Sequence, residues 1–439
     1  MQGNPHSIDV LDELRWRGLL HQTAGEGIEE HLRTPRRIGY AGFDPTSDSL
    51  TIGNFIPIKM LMHWQRAGHK PIVVMGGGTG LIGDPSGKEE ERQLRSREEI
   101  EGNVNSQRAI FERFLDFDRK SSNAAILVNN IDWLDSISYL QMLRDVGKHF
   151  SVNEMIQRES VKRRLEAREQ GISYTEFSYM ILQAYDFLHL YEEHNCTVQI
   201  GGSDQYGNII AGMDLIRRKH AGDPRNGGAQ AYGITNPLVT KADGSKIGKT
   251  ESGAIWLTAN RTSPYAFYQF WINTADADVG QFLRWFTMMP RAEIEEIMAA
   301  HEKSPQAREA QRSLARNMTA MVHGQDEMRR AEAASAALFS GDIRSLDNAM
   351  LREVFADVPH STHDKSLLEG SGAPLVEILP QTSLASSKRE AREFLGGGAV
   401  LVNGEKAGAD RALTSRDLLH GRMILLRRGK KLWHATEWN

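Results

Sequence analysis

Cysteine is almost missing: Cys196 is the single one in 439 residues. One thiol closes no internal disulfide and builds no cysteine-based zinc site, so neither staples this fold. Long apolar runs are missing too. No uncharged stretch reaches the roughly 18 residues that a membrane-spanning helix needs, and a chain without membrane segments is expected. The opening residues, MQGNPHSIDVLDELRWRG, are charged and hold no apolar stretch of the secretory type. A reducing, cytoplasmic setting fits. Neither an internal repeat nor a low-complexity tract is visible.

What is present is ordinary for a globular protein: 40% hydrophobic and 25% charged residues. The length exceeds what one core usually serves and suggests two or three domains. Net charge is −4, which on its face disfavours a polyanion partner. The charge is unevenly divided, however. Ala373 to Asn439 hold 11 Lys and Arg against 7 Asp and Glu, a net of +4, while the rest carries −8. A basic tail on an acidic body is compatible with nucleic acid meeting the tail, and equally with a solvated surface.

A β-rich segment at Arg36 to Phe43 precedes a helical pattern from about Gly53 to Ala67. A second apolar run, Pro71 to Met75, ends in glycines. Shorter runs at Ala125–Val128 and Thr197–Ile200 are each followed by helical periodicity. Strands alternating with helices predict an α/β fold with a parallel, Rossmann-like sheet covered on both faces. Residues 1–260 are read as this domain, with an inserted segment at about 120–175. Residues 261–340 are purely helical in pattern. Residues 341–372 lose periodicity and read as a linker, and 373–439 as a small α/β module.

Two glycine loops invite a nucleotide reading. Gly78-Thr79-Gly80-Leu81-Ile82-Gly83 matches G-x-G-x-x-G after a strand. It runs into Asp84-Pro85-Ser86-Gly87-Lys88 rather than an apolar helix, so the dinucleotide site that would seat pyrophosphate on a helix N-terminus is not completed. Gly83–Lys88 is one residue short of a P-loop, and Glu89 stands where its Ser or Thr belongs. Earlier, Tyr40-Ala-Gly42-Phe-Asp44-Pro-Thr46 leads to Thr51-Ile-Gly53-Asn54 at a helix start, where free N–H groups suit phosphate oxygens. A plain strand–turn–helix explains those residues as well. Lys241, Lys246 and Lys249, interleaved with glycines, form a cationic loop suited to a departing pyrophosphate, or a solvated basic hairpin.

The segment Thr175 to Tyr191 is strongly apolar at helical spacing, yet Tyr179, Gln183 and Asp186 stand at i, i+4 and i+7 on one face. Polar groups in such a stripe either satisfy one another or face a polar ligand. Gln199-Ile-Gly-Gly202-Ser-Asp204-Gln205 follows as strand end, glycine turn and helix start, the crevice position for ligands in open α/β sheets. Together these favour a small polar substrate.

In order along the chain, YAGFDPTSDSLTIGN, GGGTGLIGDPSGK, DWLDSISYLQMLRDVGKHFSVNEM, FSYMILQAYDFLHLY, QIGGSDQYGNI, PLVTKADGSKIGKTESG and SPYAFYQFWIN resemble the bacterial tyrosyl-tRNA synthetases, a family of class I aminoacyl-tRNA synthetases. The resemblance implies a catalytic domain followed by a helical tRNA-binding domain and a C-terminal RNA-binding domain like that of a ribosomal protein. It implies that Asp84, Tyr179 and Gln183 hold the substrate ammonium, with Gln205 near the carboxylate. Tyr40 and Asp186 would bind the phenolic hydroxyl. Gly42, Asp204 and Asn54 would contact ribose, with Asp44 shaping the adenylate site beside Gly53 and Gly202. Thr46, Lys88, Lys246 and Lys249 would bind the ATP phosphates and carry catalysis, and Lys388, Arg389 and Arg392 would meet RNA. Implied partners are L-tyrosine, ATP with its Mg2+, tRNA(Tyr) and a second copy in a homodimer joined through Lys148 to Met155. No resident metal is implied.

Three segments depart from the family pattern. The signature His-Ile-Gly-His stands here as Thr51-Ile52-Gly53-Asn54, with Thr51 assigned to the adenylate site and its role open. Ala41 replaces a cysteine of some relatives. Lys-Met-Ser-Lys-Ser stands as Lys246-Ile247-Gly248-Lys249-Thr250, both lysines kept. The tryptophanyl-tRNA synthetases are the nearest rival family, and a non-catalytic RNA-binding relative is a rival of another class.

Overall fold

A computed structural model describes residues 8–84, 94–158, 161–162, 165, 171–221, 230–250, 253–356, 358–429 and 432–439, with the side chains of Lys249, Thr250 and Phe339 set aside. Lys88 lies outside the described residues. The chain divides into two compact units, Met1–Thr262 with Thr274–Leu314, and Ser263–Asn273 with Ala315–Asn439.

The first unit is built on six strands: β1 Gln22–Ala24, β2 Ile38–Phe43, β3 Lys70–Met75, β4 Ile126–Asn129, β5 Cys196–Gly202 and β6 Tyr232–Asn236. Their order across the sheet is β1-β6-β5-β2-β3-β4. All pairs are parallel except β1 with β6. β3 is buried from Pro71 to Met75, the continuous apolar run of a strand covered on both faces. The order reverses around β2, whose Tyr40 is flanked by Ile72 of β3 and Gln199 of β5. A crevice opens beyond the carboxyl ends of strands at such a reversal.

The helices seat this sheet. Phe55–Arg66 buries Phe55, Ile56, Ile58, Met60, Leu61 and Trp64, and also Lys59 and His63. Lys59 Nζ donates to Thr287 O at 2.8 Å, while Arg17 donates to Arg284 O, Thr287 O and Met289 O at 2.9, 2.9 and 2.8 Å. These two buried cations satisfy carbonyls left open where the Asp276–Phe286 helix ends. That helix therefore belongs to the first unit, and the segment 261–340, expected as one helical domain, is shared between the two. Tyr174–His194 is capped by the Ser173 hydroxyl, which accepts the Glu176 N–H, and stopped by Asn195 in the left-handed region.

In the second unit the helices Pro264–Ile272, Gln325–Ser340 and Asn348–Val354 accompany a five-stranded sheet. Its strands are β7 His360–His363, β8 Val400–Val402, β9 Glu405–Lys406, β10 Met423–Arg428 and β11 Leu432–Trp438, in the order β9-β8-β10-β11-β7. The segment 341–372, expected as a linker, carries structure of its own. Met350, Leu351 and Phe355 are buried with Leu425 and Ala435 in one apolar cluster, and β7 pairs in parallel with β11. The sheet thus starts ahead of residue 373. Irregular composition hid a four-residue strand and a two-turn helix too short to show a period.

Candidate functional site

Beyond the carboxyl ends of β2, β3 and β5 the polar residues singled out in the sequence converge. Asp44 follows β2 and accepts hydrogen bonds from the Thr79 hydroxyl at 2.8 Å and the Tyr179 hydroxyl at 2.9 Å. Tyr179 spends its proton there, so its oxygen offers only lone pairs to anything else. A β-carbon at Gly76 would stand 2.1 Å from Asp44 Oδ1, and one at Gly77 would stand 2.1 Å from Asn129 Oδ1. The glycine run after β3 therefore exists to admit these side chains. Asn129 and Asn130 accept the Gly77 and Gly78 N–H groups at 3.0 and 2.7 Å. The amides that a dinucleotide fingerprint would offer to pyrophosphate are thus taken.

The Tyr174–His194 helix carries Tyr179, Gln183 and Asp186 along its cleft face. Asn208 Nδ2 donates to Gln183 Oε1 at 2.9 Å and to Gln205 Oε1 at 3.2 Å. Gln183 Nε2 donates to Gln205 Oε1 at 3.1 Å, and Gln205 Nε2 donates to Asp84 Oδ2 at 2.7 Å. Every amide in this chain has its orientation set by the next. The result is a cluster of acceptors, Asp84, Tyr179 oxygen and Gln183 oxygen, matched to a cation with several protons.

Deeper down, Asp186 accepts from Asn130 Nδ2 at 2.9 Å and from the Trp133 indole at 2.8 Å. Burial pushes its carboxyl up to about 7 against those two donors, which hold it lower. Tyr40, on β2, is 2% exposed, and its hydroxyl finds no hydrogen-bond partner among the described residues. Burial, and then the Asp186 charge, raise that phenol well above its ordinary value. A buried hydroxyl without a partner is costly, and a ligand that fills it gains what the free protein forgoes.

The mouth of the cleft is more open. Gly42, at the end of β2, is exposed, and nothing stands within 4 Å of where its β-carbon would be. Thr46 is half-buried, its N–H donating to Asp44 O at 2.8 Å. Gly53, Asn54 and Asp204 are exposed around the mouth, and Gly202 lies so close to Asp204 that a β-carbon there would meet its carboxylate at 2.4 Å. Thr51 donates through both N–H and hydroxyl to Asn54 Oδ1, at 3.1 and 2.7 Å. The turn holding them is tied to the base of the lysine loop. Ile52 N–H donates to Ile255 O at 2.9 Å, Ile255 N–H to Gly248 O at 2.8 Å, and Leu257 N–H to Leu50 O at 2.8 Å. Lys246 is exposed on that loop, and Lys249 opens a short hairpin, its side chain outside the described residues.

Five residues of the site were not singled out from sequence: Thr79, Asn129, Asn130, Trp133 and Asn208. For Thr79, Asn130 and Trp133 the spacing carries no signal because their partners, Asp44 and Asp186, lie far away along the chain. In the second unit Lys388 pairs with Glu377, while Arg389 and Arg392 are exposed on the Lys388–Gly396 helix. The β10 and β11 side presents Arg427 stacked on Trp433 at 4.9 Å.

Comparison with known proteins adds the following. Residues 33–340 match the model of the family described as tRNA synthetases class I (W and Y). Residues 350–436 match that of the tyrosine–tRNA ligase SYY-like C-terminal domain. The chain is 51% identical to a protein of Aliivibrio fischeri (strain MJ11) named tyrosine–tRNA ligase, over 98% of this chain and 99% of that one. It is 50% identical to one of the same name from Bacillus caldotenax, over 98% and 100%. Among solved structures, a C-terminally truncated mitochondrial tyrosyl-tRNA synthetase of Aspergillus nidulans superposes with a TM-score of 0.66 at 30% identity, over 75% of this chain and 94% of that one. A tryptophanyl-tRNA synthetase of Encephalitozoon cuniculi shares the fold at a TM-score of 0.51 and 13% identity, over 73% and 87%.

Proposed function

The chain belongs to the class I tRNA synthetases of the tryptophan and tyrosine family, and from that premise we propose that it is a tyrosine–tRNA ligase. It activates L-tyrosine with ATP, giving tyrosyl-adenylate and pyrophosphate, and passes the tyrosyl group to the 3′-terminal ribose of tRNA(Tyr). The observation that carries the choice of amino acid is the unpartnered, buried Tyr40 hydroxyl beside Asp186. A phenol is both donor and acceptor. It takes the Tyr40 proton on its oxygen and gives its own to Asp186, so both groups are satisfied at once. An indole N–H has no lone pair for Tyr40, and phenylalanine has neither group.

The ammonium of tyrosine meets the acceptors Asp84, Tyr179 and Gln183, with Gln205 beside the carboxylate. That carboxylate is ionised at neutral pH and needs no general base. It attacks the α-phosphorus in line, its bond forming as the bond to pyrophosphate breaks. Gly42, Gly53, Asn54, Gly202 and Asp204 line the place of the nucleoside, with Asp44 holding Tyr179 at its edge. Thr46, Lys88, Lys246 and Lys249 supply positive charge and donors for the phosphates of ATP, which enters as its magnesium complex. Catalysis is positioning and charge stabilisation of the leaving group. The lysine loop, with Gly244 and Gly248 at positive φ, suits closure over the phosphates in the activated state only.

For tRNA, Arg389 and Arg392 with Lys388 present a basic helix face in the C-terminal domain, and the helices of 261–340 offer a further tRNA surface. For assembly, seven of the eleven most exposed large apolar side chains among the described residues fall between Tyr139 and Tyr174, including Leu140 at 76% and Val152 at 58%. Such clustering supports a homodimer through the inserted segment around Lys148 to Met155, which sedimentation of the purified chain reads directly. The cytoplasm, where translation uses these substrates, is the setting that fits this reading. The deciding assay is ATP–pyrophosphate exchange without tRNA, run with each standard amino acid. Exchange with tyrosine alone is expected. Exchange with tryptophan instead, or with none, overturns the reading.

A further inference from the structure

Where the signature of this fold family has two histidines, the chain has Thr51 and Asn54. We propose that Thr51 is a positioning residue that acts on the nucleotide through Asn54 and does not itself touch a phosphate. The inference rests on the synthetase reading above.

The bonding pattern of the turn carries it. Asn54 Oδ1 receives two hydrogen bonds, from the Thr51 backbone N–H at 3.1 Å and from the Thr51 hydroxyl at 2.7 Å. A backbone N–H can only donate, so the atom it meets is the amide oxygen, and the orientation of the Asn54 amide follows. Its NH2 group then points away from Thr51. Asn54 is exposed, and its two donors make no hydrogen bond among the described residues. An asparagine at the start of a helix ordinarily turns its oxygen back onto the first free N–H groups. Here the side chain makes no such cap on Phe55–Arg66. Thr51 has taken that oxygen instead and left two exposed amide protons free to donate.

The same bond removes Thr51 from phosphate binding. A hydroxyl owns one proton, and the Thr51 proton is committed to Asn54. Phosphate oxygens of ATP at neutral pH are acceptors and require a donor. The remaining lone pairs of the Thr51 hydroxyl have nothing to offer them. Thr51 itself is held still, since its backbone bridges Trp256 in antiparallel fashion and the neighbouring Ile52 N–H donates to Ile255 O at 2.9 Å. The pair thus replaces two imidazoles by one directed amide and one fixed support.

A double-mutant cycle in tyrosine-dependent ATP–pyrophosphate exchange on the full chain tests this, using Thr51→Val, Asn54→Ala and both together. Thr51→Val keeps the shape and removes the hydroxyl. It should lower kcat/KM for ATP by about three- to tenfold, with KM for tyrosine and the thermal midpoint unchanged. In the Asn54→Ala background the same substitution should cost less than about twofold. Thr51→Ser, which restores the hydroxyl, should recover most of the loss. Multiplicative losses in the double variant would overturn the proposal and make Thr51 a direct ligand. So would a failure of serine to rescue. Were the unaltered chain to exchange with no amino acid, the synthetase reading would fall, and this inference with it, so the two failures are told apart by the unaltered protein.

Discussion

Trp133→Phe is the sharpest test of the pocket floor. The indole N–H donates to Asp186 Oδ1 at 2.8 Å while Asn130 holds Oδ2 at 2.9 Å. A phenyl ring keeps most of the volume and can keep the stack on His189, whose ring lies 4.3 Å away at 19°, but it donates nothing. A hydrogen bond to a charged acceptor contributes about 1.5–3 kcal/mol. If the phenol of the substrate depends on a correctly aimed, ionised Asp186, kcat/KM for tyrosine should fall by roughly 10- to 150-fold at neutral pH, with KM for ATP unchanged. The pH profile gives a second, independent reading. Burial already pushes Asp186 up to about 7, and Trp133 is one of the two donors that hold it down. Because only the ionised form accepts the phenol proton, activity in the unaltered protein should rise with pH through about 7. Loss of the indole donor should move that limb to higher pH. The assay is tyrosine-dependent exchange across roughly pH 6 to 9. A loss below about twofold together with an unmoved limb would remove Asp186 from phenol recognition.

Other substitutions probe separate parts. Asp186→Ala should erode the preference for tyrosine over phenylalanine far more than it weakens ATP binding, and unchanged selectivity in competing-substrate kinetics would refute the assignment. Arg17→Met strips the Arg284 and Met289 carbonyls of this donor and leaves Thr287 O to Lys59 alone, which should cost about 2–6 kcal/mol in denaturant unfolding; a loss below about 1 kcal/mol would show those carbonyls are satisfied otherwise. His434 accepts the Ser383 N–H on Nδ1 at 3.1 Å, and burial, aided by the charges of His360 and His363, lowers it to about 4. The folded chain then binds fewer protons than the unfolded one between that value and about 6.5, so this stability is full above the upper value and is lost as pH falls toward the lower. Thermal unfolding should show that slope, and His434→Gln should flatten it; an identical slope in the variant would refute it. Arg389→Ala with Arg392→Ala should raise KM for tRNA and leave exchange untouched, whereas equal loss in both assays would assign these residues to folding.

The parallel sheet and the polar face of its longest site helix were legible because period and composition agree there. Val73 and Val74 announce a strand covered on both faces, and Tyr179, Gln183 and Asp186 interrupt an apolar helix at a spacing that lines up one side. The G-x-G-x-x-G match at Gly78–Gly83 was set aside on the sequence alone, but the task of the glycines just ahead of it was not legible: Gly76 and Gly77 make room for Asp44 and Asn129. What a glycine admits is set by residues far away along the chain, and spacing holds no record of them. Asn130 and Trp133 were hidden for the same reason. The boundary near 373 failed because β7 is recognisable only from its partner β11. Short strands have no identity until they are paired.

The clasp between Ile52, Ile255 and Gly248 is made of main-chain groups, so side-chain changes leave its bonds in place. Substituting residues 241 to 247 can retune the charge, bulk and mobility of the lysine loop without unfastening it from the turn that carries Asn54. Gly248 is the exception. It sits at φ 78, and a β-carbon there would stand 2.3 Å from Ile52 Cγ2. The loop is in effect an adjustable flap on a fixed pivot, bound to its sequence at the pin and at the lysines proposed to meet the phosphates.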